Sequence, residues 1–187
     1  QVAEGEINIL NRTNDDSKWV VAFTTDSGPV EYYLYDRASK SANFLFMNRT
    51  ALQGLELAAM HPVIIPARDG LELVSYLTLP TGTNPDGDII PNAGPVPMVL
   101  LVHGGPWARD SWGYNGLLQL LANRGYAVLS VNFRGSTGLG KNFLNAGNKE
   151  WAGKMHDDLI DAVDWAVNAG AAEQNKVAIM GGSYGGY

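Results

Sequence analysis

Gly181-Gly182-Ser183-Tyr184-Gly185 reads G-x-S-x-G, the spacing of a nucleophile elbow, in which a tight strand-to-helix turn lifts a serine hydroxyl above a sheet edge. Small residues are needed two before and two after the serine, because a strained backbone angle there leaves no room for Cβ atoms. In a chain with 22 glycines among 187 residues the pentapeptide is a weak signal by itself, and a plain serine in a glycine-rich turn would also produce it. His103-Gly104-Gly105-Pro106 is the second stretch with chemical content. A glycine pair exposes backbone N–H groups with no side chain in the way, as a developing oxyanion requires.

The proton carriers are few, since His61, His103 and His156 are the only histidines. His103, at the mouth of the glycine loop, is either the acceptor of a proton from Ser183 or a framework residue of that loop. His156 stands beside Asp157 and Asp158, but adjacent residues on a helix point in different directions, which favours a solvated helix start over a metal cluster. His61, before Pro62, reads as structural. Arg109 would either grip a peptide carbonyl or carboxylate or pin its loop through an ion pair with Asp110. Arg134 reads as a loop brace, and Trp107 and Trp112 either line a substrate cleft or cover the sheet.

These residues need elements to position them. Val177 to Met180 is a short apolar run bounded by glycine, which predicts a strand covered on both faces and leading into Ser183. Pro97 to Val102, "PMVLLV", predicts another, opening into the glycine loop. "YNGLLQLLANRG" carries leucines at helical spacing with Gly125 as a stop signal, and "YAVLSVNFRGS" from Tyr126 predicts a third strand. "MHDDLIDAVDWAVNAG" predicts a helix with Leu159, Val163 and Ala166 on one stripe and Asp157 and Asp158 in its first turn. This alternation predicts an α/β fold: a parallel sheet with helices on both faces. Residues before 59 differ: 19–25, 30–36 and 43–47 predict short strands of a meander around the turn cluster "DSGP". From His61, two strands joined by a turn at Asp69-Gly70 predict a hairpin, and Thr81 to Pro95 is a polar surface loop.

Taken together, "LVHGGPWARDSWGYN", "VNFRGSTGLGKNF", "MHDDLIDAVDWA" and "MGGSYGGY", in this order, resemble the catalytic domain of the prolyl oligopeptidase family of serine peptidases. The nearest likeness is to its acylaminoacyl-peptidase-like branch, in which HGGP replaces a tyrosine. The resemblance is strong over about residues 60 to 187. It implies that residues 59–187 are the N-terminal half of an α/β-hydrolase domain and that residues 1–58 are the closing blade of a β-propeller with its linker; an edge hairpin packed on the hydrolase is the other reading of the latter. It implies a serine peptidase acting on short peptides, with Ser183 as nucleophile. The oxyanion is expected at the N–H of Tyr184 and at that of Gly105, or secondarily Gly104, and a Cβ on Gly105 is expected to crowd the tetrahedral intermediate. Trp107 and Arg109 are candidate cleft residues. In α/β-hydrolases the acid and histidine follow the serine along the chain, so both are expected beyond Tyr187, and the chain is expected to be an incomplete, inactive piece. An esterase would use the same parts, and a non-catalytic hydrolase-fold binding protein is the third reading.

Composition narrows the partners. A net charge of −6 offers no basic stripe for nucleic acid, and no apolar run approaches a membrane span. The absence of cysteine excludes disulfides and thiolate chemistry and fits either cytoplasm or periplasm. The chemistry calls for no metal or cofactor.

Overall fold

The computed structural model describes residues 5–83 and 89–186, so part of the loop expected between Thr81 and Pro95, and Tyr187, lie outside the described residues. The chain divides into two compact units: residues up to Leu57 with Gly113–Gly116, and Ala58–Trp112 with the chain from Leu117 onward.

The first unit is a four-stranded antiparallel meander, β1 (Glu6–Arg12), β2 (Lys18–Thr24), β3 (Glu31–Asp36) and β4 (Ser41–Met47), in sequential order. Cross-strand aromatic pairs bind its neighbours, Trp19 with Tyr35 across β2 and β3 and Tyr32 with Phe46 across β3 and β4. The turn after β3 is closed by Asp36, whose Oδ1 accepts the N–H groups of Ala38 and Ser39 at 3.0 and 3.1 Å. Strand β1 has no counterpart among the sequence expectations. Its residues are exposed throughout, and it is a strand because β2 offers it a ladder from Glu6↔Thr24 to Arg12↔Trp19.

The second unit holds a five-stranded sheet in the order β5-β6-β8-β7-β9: β5 (Met60–Pro66), β6 (Glu72–Thr78), β7 (Val96–Val102), β8 (Ala127–Val131) and β9 (Ala172–Gly181). Strands β7, β8 and β9 are parallel, but β6 runs antiparallel to β8 and β5 antiparallel to β6. The sheet is therefore mixed, combining the parallel strands expected of the alternating segments with the hairpin expected from His61 onward. Only β7, β8 and β9 are joined by crossovers; β5 and β6 are joined by a short turn at residues 67–71, which forces an antiparallel pair. Gly70 has φ 86° there, and Ala67 N–H reaches Leu71 O at 2.8 Å.

Side-chain alternation along these strands builds two apolar layers. Leu73 and Leu77 of β6, Met98 and Leu100 of β7, and Leu129 and Val131 of β8 join Met155, Leu159, Ala162 and Ala166 of α3 (Lys154–Asn168). Tyr76 and Val128 point to the other layer, with Met60 and with Leu118 of α1 (Gly116–Ala122). A leucine or valine fully buried in this way contributes about 1.5–3 kcal/mol of hydrophobic stabilisation. Helix α1 stops where expected, with Gly125 at φ 88° donating to Ala122 O at 3.0 Å. A short helix α2 (Lys141–Asn145) precedes α3 and buries Phe143.

The strand into Ser183 forms where expected, with a sheet neighbour on one side among the described residues. Strand β9 pairs only with β7 and forms the edge of this sheet, so Ile179 is 66% and Met180 45% exposed. Apolar composition without turn residues makes a strand, but neighbours on both sides are what bury one.

Candidate active site

Ser183 begins a single 3₁₀ turn, Ser183–Gly186, directly after β9 ends at Gly181. Its φ is 56°, a left-handed backbone that a serine adopts only when its surroundings fix it. The packing that fixes it is main chain on main chain. A Cβ on Gly181 would stand 2.1 Å from Gly185 O, and one on Gly185 would stand 2.1 Å from Val102 O at the end of β7. Each overlap is with backbone, so neither can be relieved by rotating a side chain. Gly182 has open space around its Cβ position, so the turn demands glycine two before and two after the serine, and not immediately before it.

The loop after β7 lies against this turn. A Cβ built on Gly104 would sit 3.1 Å from Gly182 O, 3.2 Å from Ser183 Cβ and 3.8 Å from Ser183 Oγ. Gly105, at φ 124°, behaves differently, because its Cβ would stand 2.6 Å from Trp107 N and 3.0 Å from Ala108 N. The clash falls within the loop's own backbone, and Gly104 is the glycine whose missing side chain clears Ser183.

His103 is anchored away from the serine. Its Nδ1 lies 2.8 Å from Gly104 O and its Nε2 2.9 Å from Ser136 Oγ, while its ring stacks on Phe133 with centroids 4.5 Å apart and planes 15° apart. Both ring nitrogens are thus engaged by loop groups, which supports the framework reading. His61 is on β5, at the opposite sheet edge from β9, roughly 19 Å away over four strand spacings. His156 is exposed on α3 and lines an apolar hollow of about 300 Å³ with Val102, Leu159, Ile179 and Tyr184.

Arg109 and Asp110 are not an ion pair. Arg109 Nε donates to the main-chain carbonyl of Asp110 at 3.1 Å, and its guanidinium lies over Gly138; this corrects the expected side-chain pairing. The Asp110 main chain is clamped by Asn132, whose Oδ1 accepts Asp110 N–H at 2.8 Å and whose Nδ2 donates to Asp110 O at 3.1 Å. Asp110 Oδ2 is buried without a hydrogen bond. Burial pushes this carboxyl up, and the charges of His103 and Arg109 draw it back down. Trp107 is 63% exposed on the same loop, and the indole of Trp112 donates to Met60 O at 2.9 Å, so it covers the sheet.

Arg134 is the loop brace expected of it, with a buried partner in addition. Its guanidinium donates to Asp158 at 2.6–3.1 Å and to Asp69 at 2.8 and 2.9 Å, and its own N–H reaches Asp158 Oδ2 at 2.8 Å. Its side chain is 5% exposed and that of Asp158 0%. Asp158 therefore lies on the buried stripe of α3, where the sequence suggested only a carboxylate near a helix start. Hydrogen bonds from Arg134 hold the Asp69 carboxyl well below the usual carboxylate range.

Three site neighbours escaped the sequence. Trp151 meets the Tyr184 ring edge-on at 5.0 Å, Ser136 holds His103, and Asn132 holds Asp110. No spacing rule marks them, because each acts through a contact made across a loop.

Residues 112–187 match the model of the prolyl oligopeptidase family. Over its full length the chain is 59% identical to dipeptidyl aminopeptidase BIII of Pseudoxanthomonas mexicana, covering 27% of that protein. It is 44% identical, over 98% of its length, to dipeptidyl peptidase family member 6 of Caenorhabditis elegans, covering 26% of it. An acylaminoacyl peptidase solved in complex with Z-Gly-Gly-Phe-chloromethyl ketone shares the fold across the whole chain, with a TM-score of 0.77 at 24% identity over 29% of its length. The chain thus spans about a quarter of the curated relatives it matches. A glycine-framed serine was a weak signal in isolation, but likeness along every segment that shapes its turn is not: residues 112–187 match the prolyl oligopeptidase family, and the chain as a whole is similar to dipeptidyl peptidases along its full length.

Proposed function

We propose that the whole protein is a serine-type peptidase of short peptides in which Ser183 is the nucleophile. One observation carries this reading: Ser183 sits at φ 56° in a turn where Gly181 and Gly185 tolerate no Cβ, with Gly104 of a second glycine loop packed against it. A fold that stores strain at an exposed hydroxyl and keeps side chains away from it has the features of an acyl-transfer centre. Ser183 Oγ attacks the peptide carbonyl, its proton passes to a histidine and then to the leaving amine, and water hydrolyses the acyl-enzyme. The N–H groups of Tyr184 and Gly105, with Gly104 as second candidate, receive the oxyanion. Each such donor contributes about 3–4 kcal/mol to the transition state.

None of His61, His103 and His156 is placed by its contacts to serve Ser183, so the base and the acid that orients it come from chain outside these 187 residues. Residues 59–187 are then the N-terminal half of an α/β-hydrolase domain, and the preceding meander is the closing blade of a β-propeller. The names of the relatives favour dipeptidyl substrates, and the peptidyl chloromethyl ketone in a protein of the same fold favours a peptide cleft. Trp107 and Arg109, exposed on the glycine loop, are the cleft residues to test first.

The test is Ser183→Ala in the full-length protein, assayed with dipeptidyl anilides and matched esters. Loss of both turnover and fluorophosphonate labelling, with an unchanged melting temperature, is expected. Undiminished peptide turnover would overturn the assignment, and turnover of esters alone would make the protein an esterase.

A further inference from the structure

Asp158 is fully buried on the sheet-facing stripe of α3, beside Met155, Leu159, Ala162 and Ala166. Apolar side chains of the same volume often stabilise a core as well as a buried ion pair does, or better, so stability alone does not account for a carboxylate at this position. What apolar packing cannot supply is direction. Asp158 Oδ2 accepts the main-chain N–H of Arg134 at 2.8 Å, and both carboxylate oxygens accept from the Arg134 guanidinium at 2.6–3.1 Å. One carboxylate thereby fixes main chain and side chain of the same residue, through the short, charge-assisted class of hydrogen bond. Asp69, by contrast, meets Arg134 at the guanidinium, from the exposed side.

The residues around Arg134 form a template for the loop after β7. Asn132 holds the Asp110 main chain at both its N–H and its carbonyl, and Ser136 Oγ lies 2.9 Å from His103 Nε2. Thr137 N–H donates to Ala108 O at 2.9 Å, and Gly138 leaves the space that the Arg109 guanidinium occupies. Residues 103, 108, 109 and 110 are therefore each met by a residue between 132 and 138. The template is itself tightly folded: Ser136 N–H returns to Phe133 O at 3.0 Å, and Gly135, at φ 95°, donates to Phe143 O of α2 at 3.1 Å.

We propose that Asp158 is a positioning residue for the oxyanion donors. Through Arg134 it fixes the chain from 132 to 138, and that chain fixes the loop from His103 to Asp110, whose Gly104 abuts Ser183. Hydrogen bonds and main chain run without a break from α3 to the serine: Asp158 to Arg134, Ser136 to His103, and His103 Nδ1 to Gly104 O at 2.8 Å. The effect on turnover rests on the reading of Ser183 as nucleophile; the hold on the loop does not.

The test is Asp158→Asn in the full-length protein, which keeps the size of the side chain and an oxygen for the Arg134 N–H but removes the charge and one acceptor. Well below the melting temperature, kcat for a dipeptidyl anilide is expected to fall about 10- to 100-fold, the scale of a displaced catalytic group, with KM little changed. Affinity for a peptide aldehyde, whose adduct with Ser183 places an oxygen at the oxyanion donors, falls in parallel, while affinity for the dipeptide product does not. Amide hydrogen exchange over residues 103–110 becomes faster. Arg134→Lys, which keeps the main-chain N–H and a cation, retains more of kcat than Asp158→Asn. Ala162→Gly weakens α3 from the same stripe and is the control: it lowers the melting temperature and leaves kcat and the exchange of residues 103–110 as in the parent. Should Asp158→Asn fail to fold, Ser136→Ala breaks the last link to His103 with the ion pair in place and is expected to give the same kcat and aldehyde readings. Parental kcat and exchange in Asp158→Asn, parental kcat in Ser136→Ala, or an equal kcat loss in Ala162→Gly overturns the proposal. Faster exchange in Asp158→Asn, in a protein whose turnover survives Ser183→Ala, sinks the function reading and leaves the hold of Asp158 on the loop intact.

Discussion

Replacing each glycine of the loop after β7 by alanine should give two different defects. In Gly105→Ala the new Cβ meets Trp107 N at 2.6 Å and Ala108 N at 3.0 Å, at a φ of 124°. The strained backbone angle costs about 1–3 kcal/mol, and because the obstacles are main-chain nitrogens the loop itself must move. Misplacing an oxyanion donor costs about 10²–10³ in kcat, so kcat should fall at least about 100-fold with KM nearly unchanged, together with a lower melting temperature. In Gly104→Ala the contacts are 3.1 Å to Gly182 O and 3.2 Å to Ser183 Cβ, which a shift of a few tenths of an ångström relieves. Stability should then change by less than about 1 kcal/mol, within the range of ordinary tolerated substitutions. Acylation should slow by about tenfold, because the added methyl narrows the approach to Oγ. Stopped-flow acylation of the full-length protein by a dipeptidyl anilide, paired with thermal melts, measures both. Wild-type acylation and melting in Gly105→Ala would refute the assignment of that loop, and a larger stability loss in Gly104→Ala than in Gly105→Ala would refute the geometry.

Asp158→Ala should destabilise the protein more than Asp69→Ala, since it removes the fully buried partner of Arg134 and leaves the guanidinium with Asp69 alone, whereas Asp69→Ala, at a carboxylate 36% exposed, should cost no more than about 1 kcal/mol; urea unfolding of both variants checks the order. Asp69 is held below its unfolded value by Arg134, so its contribution is present above about pH 4 and is lost as pH falls below that. Asp69→Asn should flatten the stability profile on that acid limb, as followed by circular dichroism. The 187-residue chain by itself should resist fluorophosphonate labelling, because His103 has both ring nitrogens engaged; rapid stoichiometric labelling, abolished by Ser183→Ala in intact-mass spectra, would show a base within it.

Short-range rules made the elbow and its supports legible. Apolar runs ending in glycine located β7, β8 and the end of β9, leucine spacing and Gly125 located α1, and the G-x-S-x-G spacing anticipated a strained Ser183 with glycine two residues to either side. All of these follow from backbone sterics and side-chain period, which a sequence carries locally. What pairing and packing decide stayed out of reach. β1 is a strand through its ladder with β2, β9 is exposed because it has one neighbour among the described residues, and the sheet order, with β8 lying between β6 and β7, is set by pairing. The site followed the same division. Composition marked His103, Arg109 and Asp110 as notable but suggested an ion pair that the loop does not form. Only the fold could bring Ser136 and Asn132 from the chain after β8 onto that loop, some thirty residues away along the chain for His103 and Ser136. Hydrogen bonds are directional and need both partners in place, so which groups share a proton is settled by the meeting of loops and not by either loop's residues.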